Sequence, residues 1–150
     1  MTPATKASGT ALVFDFGRKH IGIAVAEPKA DLARGLRTIP AREGEPRWDV
    51  LDPVVKEWQP ERLVVGLPIN MDGTPSDSSA QARRFGQRLA ARYSLPVEYA
   101  DERLSTFEAL SRGAPADDAH AQAAEIIGET WLSERARRPG SERSPSPSPR

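Results

Sequence analysis

The apolar run Ala11 to Phe14 ends on a carboxylate, Asp15, and a polar turn of Gly17, Arg18, Lys19 and His20 follows it. An ionised acid at the end of a buried strand is costly to desolvate unless a cation or a metal ion compensates. Gly17 has no side chain to keep a phosphate or a metal from the backbone. Taken alone, Asp15 reads as a turn cap. Two further sites change that reading. Glu102 follows the apolar stretch Pro96 to Ala100, and Asp117 and His120 open the last helical pattern, three residues apart and so on one face. Position 120 is in register with Ala124, Ile127 and Trp131, which directs it at the sheet, whereas Asp118 falls nearly opposite. Parallel neighbouring strands would bring Asp15 and Glu102 to the same sheet edge. Carboxylates and an imidazole gathered there repel or desolvate one another unless a divalent ion lies between them. Oxygen donors suit magnesium or manganese. Two such ions, roughly 3.5–4 Å apart, would activate water and steady the leaving oxygen in phosphodiester cleavage. The catalytic candidates are therefore Asp15, Glu102, His120 and Asp117, the groups that could gather around such an ion.

The elements that must position these groups follow from periodicity. Residues 11–27 read as an antiparallel hairpin, with Ile21, Ile23 and Val25 on one face and Gly22, Ala24 and Ala26 on the other. Leu32 to Ile39 suggests a third strand ended by Pro40, and Ala41 to Pro46 a loop. Trp48 to Trp58 has the helical spacing Val50, Leu51, Val54, Val55, Trp58, with Pro53 tolerated or kinking it. Arg62 to Leu67 is a short apolar run suited to a central parallel strand. The loop Pro68 to Ser79 is dense in turn formers and carries Asn70; loops in this position commonly bind ligands. A helix capped by Ser76 should run to about Tyr93, with Ala82, Phe85, Leu89 and Tyr93 inward and Arg83, Arg84, Arg88 and Arg92 outward. That outward face is either solvated or tracks phosphates. A strand, Pro96 to Ala100, a short helix from Ser105 or Thr106 to about Ser111 and a final helix, Asp117 to Glu134, complete a mixed α/β layer fold. Residues 1–10 read as a flexible arm, and 136–150, ending SERSPSPSPR, as a disordered Ser/Pro/Arg tail.

Bulk properties narrow the setting. At 150 residues the chain suits one cored domain. Lysine plus arginine equals aspartate plus glutamate, 21 each, so nucleic-acid binding would have to come from local patches. The absence of cysteine rules out disulfides and thiolate chemistry. No signal peptide or membrane-length apolar run is visible, which suggests a cytoplasmic protein. No G-x-G-x-x-G follows the first strand, and there is no P-loop.

VFDFGRKHIGIAVAE, VVGLPINMDG and DERLSTFEA together resemble the three signature blocks of the YqgF/RuvX family. Members of that family are described as Holliday junction resolvases or as nucleases processing the 5′ end of pre-16S ribosomal RNA. The resemblance spans roughly residues 11 to 134. It implies an RNase H-like fold, a five-stranded mixed sheet flanked by helices in a nuclease domain over 11–135, and divalent-metal-dependent cleavage. Asp15 matches the family's first acid and Glu102 its second. The third, normally an Asp at the start of the last helix, falls on His120, which is a departure; the resemblance thus implies Asp15, Glu102 and His120 as the metal ligands. A second departure is the shortened, usually basic loop before the last helix, here only about residues 111–116. Arg18, Lys19, Asn70, Arg83, Arg84, Arg88 and Arg103 are the candidate nucleic-acid contacts.

The expected function is 5′-end processing of pre-16S RNA with two Mg²⁺ or Mn²⁺ ions. The alternatives are resolution of branched DNA and a catalytically weakened nucleic-acid-binding assembly factor, which the two departures favour. An actin-like or sugar-kinase ATPase would need a second domain and a second D-x-G loop, and the chain has neither. Processing one RNA strand is compatible with a monomer or weak homodimer; junction resolution requires two symmetric sites.

Overall fold

The computed structural model describes residues 9–67, 77–101 and 119–137. Among the described residues six strands form one sheet: β1 (Ala11–Asp15), β2 (His20–Glu27), β3 (Leu32–Arg42), β4 (Glu45–Pro46), β5 (Arg62–Leu67) and β6 (Val97–Asp101). Their spatial order is β4-β3-β2-β1-β5-β6. The strands from β1 to β4 pair antiparallel, and β1, β5 and β6 pair parallel. Three helices among the described residues flank the sheet: α1 (Trp48–Trp58), α2 (Asp77–Tyr93) and α3 (Ala119–Arg137). The N-cap expected at Ser76 and the short helix near 105–111 lie outside the described residues.

Strand alternation gives the sheet two unlike faces. Leu12, Phe14, Ile21, Ile23, Val25, Ile39, Leu63 and Val65 point to one side, where they pack with Leu51, Val54 and Val55 of α1 and Ala82, Phe85 and Leu89 of α2. The other face is built of small residues, Ala11, Val13, Ala24, Ala26, Ala33, Val64 and Ala100, and meets Ala124, Ile127, Trp131 and Leu132 of α3. The small side chains let α3 settle close to the sheet. A Cβ at Gly128 would stand 3.0 Å from the Cβ of Ala33.

Two bonds fix the register of α3. Between Ile23 and Ala24 the β2–β3 pairing shifts, leaving Leu36 without a partner across the ladder. Next to that bulge, the Gly35 N–H donates to Glu125 Oε1 at 2.8 Å. Further along α3, the Trp131 indole N–H donates to Glu98 Oε1 at 2.8 Å, and Arg62 holds Oε2 of the same carboxylate at 2.7 Å. Burial pushes Glu98 up, but these donors outweigh it and hold it below the ordinary value.

The five strands expected from the sequence are present, with a sixth added. The segment read as a loop after Pro40 is instead the end of β3, a turn and β4. Proline does not stop β3 there because N–H groups alternate in direction along a strand. The Ala41 N–H donates to Lys19 O at 2.8 Å, so the missing donor of Pro40 would have faced the outer edge. Glu43 and Gly44 take φ of +54° and +82°, the left-handed pair of a two-residue type I′ hairpin. α1 runs unbroken through Pro53 and closes on Gln59, whose N–H reaches Val55 O at 2.9 Å.

Candidate active site

Asp15 shares the α3 face of β1 with Ala11 and Val13 and is 2% exposed. Its neighbour on β2 is Gly22, its neighbour on β5 is Gly66, and beyond these lie Thr38 and Ala100. Asp15 is thus the only ionisable side chain in this row across the sheet. On the Gly22 side the vacated volume is filled by the start of α3: a Cβ there would collide with the His120 carbonyl. Gly22 therefore brings the last helix close enough for His120 to reach Asp15.

His120 Nδ1 lies 3.1 Å from Asp15 Oδ2. The hydrogen bond to Asp15 is the main cause that raises the imidazole pKa above its ordinary 6.5; burial opposes the rise, and the charge of Asp15 adds to it. His20, at the start of β2, stacks on His120 with ring centroids 5.4 Å apart and 22° between planes. Gly17, Arg18, Lys19, His20, Glu43 and His120 line a cleft of about 490 Å³ over this pair.

Of the residues singled out in the sequence, Asp15 and His120 come together, and Arg18 and Lys19 line the same cleft. Arg18 is held by Glu43 at 3.0 Å in an exposed ion pair. Glu102, Asp117, Asn70 and Arg103 lie outside the described residues. Asp15 and the end of β6 are not on neighbouring strands, as had been expected. β5 lies between β1 and β6, and at the level of Asp15 it presents Gly66. The arginines of α2 stand apart from Asp15. Phe85 of α2 packs on Phe14 and Phe16, so α2 covers the face opposite α3. There Arg83 lies over the Tyr99 ring, Arg88 is 3.9 Å from Glu45, and Arg84 is exposed. Arg92, which the sequence placed with them, is committed to Asp52 at 2.7 Å and to the Trp48 ring.

Sequence reasoning passed over His20 and Glu43. His20 read as part of a polar turn, and its stacking partner is 100 residues away. Glu43 lay in a segment taken for a loop; the Glu-Gly pair before a second short strand was the available signal.

A hard carboxylate oxygen beside an imidazole suits a divalent cation of the magnesium or manganese kind. Among the described residues no third carboxylate, histidine or cysteine joins them to make a three-ligand cluster. Because Nδ1 faces Asp15, a cation must either displace that hydrogen bond or use Nε2.

Comparison with known proteins bears on this arrangement. A protein from Saccharophagus degradans named "Putative pre-16S rRNA nuclease" is 46% identical over 132 residues, covering 83% of this chain and 93% of its own. An Escherichia coli protein of the same name is 49% identical over 104 residues, covering 69% and 75%. Among solved structures, RuvC of Thermus thermophilus in complex with a Holliday junction superposes with a TM-score of 0.50 at 18% identity, covering 85% of this chain and 96% of RuvC. The fowlpox virus Holliday junction resolvase superposes at 0.52 with 8% identity, covering 83% and 99%. These likenesses give the fold, which is the RNase H-like one that the sequence led us to expect. The family model described as "RuvX: Holliday junction resolvase" matches residues 9–134, and the chain belongs to that family.

Proposed function

We propose that the protein is a divalent-metal-dependent nuclease that hydrolyses phosphodiester bonds in structured RNA, and that its task is 5′-end processing of pre-16S ribosomal RNA in the cytoplasm. The observation that carries this reading is the buried Asp15, held 3.1 Å from His120, which lines one cleft with Arg18 and Lys19. The curated relatives named for that RNA support the choice of substrate.

Asp15 and His120, with Glu102 as the further acid, would hold one or two Mg²⁺ or Mn²⁺ ions, which would supply a water of lowered pKa and neutralise the charge of the leaving oxygen. The chain's own residues do the rest. Asp15 is desolvated, which strengthens its pull on any cation reaching the cleft. With Nδ1 turned to Asp15, His120 takes up or releases a proton at Nε2, the ring nitrogen this contact leaves open. Arg18 and Lys19 hold phosphate oxygens at the rim and orient the strand.

The family description favours a second reading, resolution of branched DNA. That reaction needs two sites related by symmetry, hence a dimer. One experiment separates the two readings: incubation of the full chain with a labelled pre-16S 5′ leader and with a four-way DNA junction, with and without Mg²⁺ or Mn²⁺, alongside its mass in solution. RNA cleavage that stops on chelation, by a monomer or weak dimer, is the expected result. Junction cleavage by a stable dimer with the RNA left intact would overturn the proposal, as would cleavage of neither.

A further inference from the structure

We propose that the β3–β4 hairpin is a nucleic-acid subsite: its groove of Pro40, Ala41, Arg42, Glu45, Pro46 and Arg47 takes backbone phosphates of the single strand that leads into the Asp15–His120 cleft. This rests on the nuclease reading above.

The hairpin is a fixed wall of the cleft. The Ala41 N–H donates to Lys19 O and the Gly44 N–H to Arg18 O, at 2.8 and 2.9 Å. Gly44 sits on the Phe16 ring: a Cβ there would be 2.9 Å from its Cζ. Glu43, in the left-handed region that the type I′ turn requires, reaches Arg18 with its carboxylate at 3.0 Å.

Position favours the same conclusion. Asp15 faces α3, whereas Arg83, Arg84 and Arg88 belong to α2 on the opposite face of the sheet. A strand that touches both must pass round one edge of the sheet, and of the two edge strands, β4 and β6, β4 is the one that lies against Arg88 through Glu45. The hairpin joins the two surfaces: Glu43 reaches Arg18 in the cleft, and Glu45 lies 3.9 Å from Arg88 of α2.

The groove also has suitable chemistry. It has a volume of about 450 Å³. Arg42 is exposed and has no ion-pair partner among the described residues. Arg47 is paired with Asp49 at 2.8 Å, but both side chains are mostly exposed, and such a pair exchanges readily for a phosphate.

Fluorescence anisotropy on the full chain without divalent metal tests this, with a labelled RNA hairpin bearing single-stranded flanks and the same hairpin without flanks. Arg42→Ala should weaken the flanked RNA by roughly threefold and lower the slope of log affinity against log salt by about 0.7, and adding Arg47→Ala should about double that change in slope. The flankless hairpin should bind the variants as it binds the wild type. Arg42→Lys should restore most of the slope, and Lys29→Ala, at the far end of β2, should leave everything unchanged. If the double variant binds flanked RNA like the wild type, or loses affinity equally for both RNAs, the hairpin is no strand subsite, although the nuclease reading stands. If the wild type binds neither RNA, the nuclease reading fails and takes the subsite with it.

Discussion

His120 Nδ1 and Asp15 Oδ2 lie 3.1 Å apart, joined across 105 positions of chain. In the metal-free protein this contact is worth most when the imidazole is protonated. Its raised pKa means that the folded state holds the proton more tightly than the unfolded chain. The stabilisation is therefore fully present below about 6.5 and is lost as pH rises through the higher folded value. His120→Gln should lower metal-free stability by about 1 kcal/mol near pH 5.5, the size of a partly solvated charge-assisted bond. It should have little effect near pH 8.5. Urea unfolding of both proteins at the two pH values checks this.

Gly22→Ala should be among the most damaging single-methyl changes in the molecule. The new Cβ would occupy the position of the His120 carbonyl, and backbone cannot give way as a side-chain tip can. We expect a loss of about 2 kcal/mol or more and loss of cleavage, because the start of α3 must retreat from Asp15. Thermal melting with a nuclease assay on the same preparation measures both.

Glu125 anchors α3 on the β3 bulge through the Gly35 N–H. Glu125→Ala leaves that donor unpaired and should cost about 1–2 kcal/mol, or several degrees in melting temperature. Glu125→Gln keeps an acceptor in place and should recover most of the loss.

Away from the cleft, Asp52 ties α1 to α2. Hydrogen bonds from Arg92 and then from Tyr93 hold its carboxyl down at about 2. A depressed pKa stabilises the fold above the unfolded value, and that contribution is lost as pH falls from about 4 towards 2. Asp52→Asn should be less stable than the wild type at neutral pH and should show a shallower acid transition over that window. Denaturant midpoints taken across it test the point.

What the sequence disclosed and what it hid have physical causes. Alternation in Ile21 to Ala26 fixed both the hairpin and its two faces, because the period of two is local. The stripe Ala124, Ile127, Trp131 located His120 against the sheet by the same logic at helical spacing. The strand order was not local information. β5 stands between β1 and β6, so Asp15 and the end of β6 are separated by Gly66 rather than adjacent. β4 was missed because Pro40 reads as a terminator, and only the direction of its absent N–H makes it harmless. The division of the arginines was equally hidden. Arg92 shares the outward spacing of Arg88, yet Asp52 and Trp48, more than 30 residues back in the chain, claim it.

Asp15 is the acid we propose to give this cleft its metal and its chemistry. The most direct measurement follows cleavage of the pre-16S leader and Mn²⁺ binding by calorimetry, side by side for wild type and Asp15→Asn, with melting curves as the fold control. Asp15→Asn should stay folded and keep its RNA affinity, while its Mn²⁺ binding weakens and its cleavage falls by about a hundredfold or more. A folded Asp15→Asn protein that cleaves the leader at the wild-type rate and binds Mn²⁺ as before would show that Asp15 has no such role.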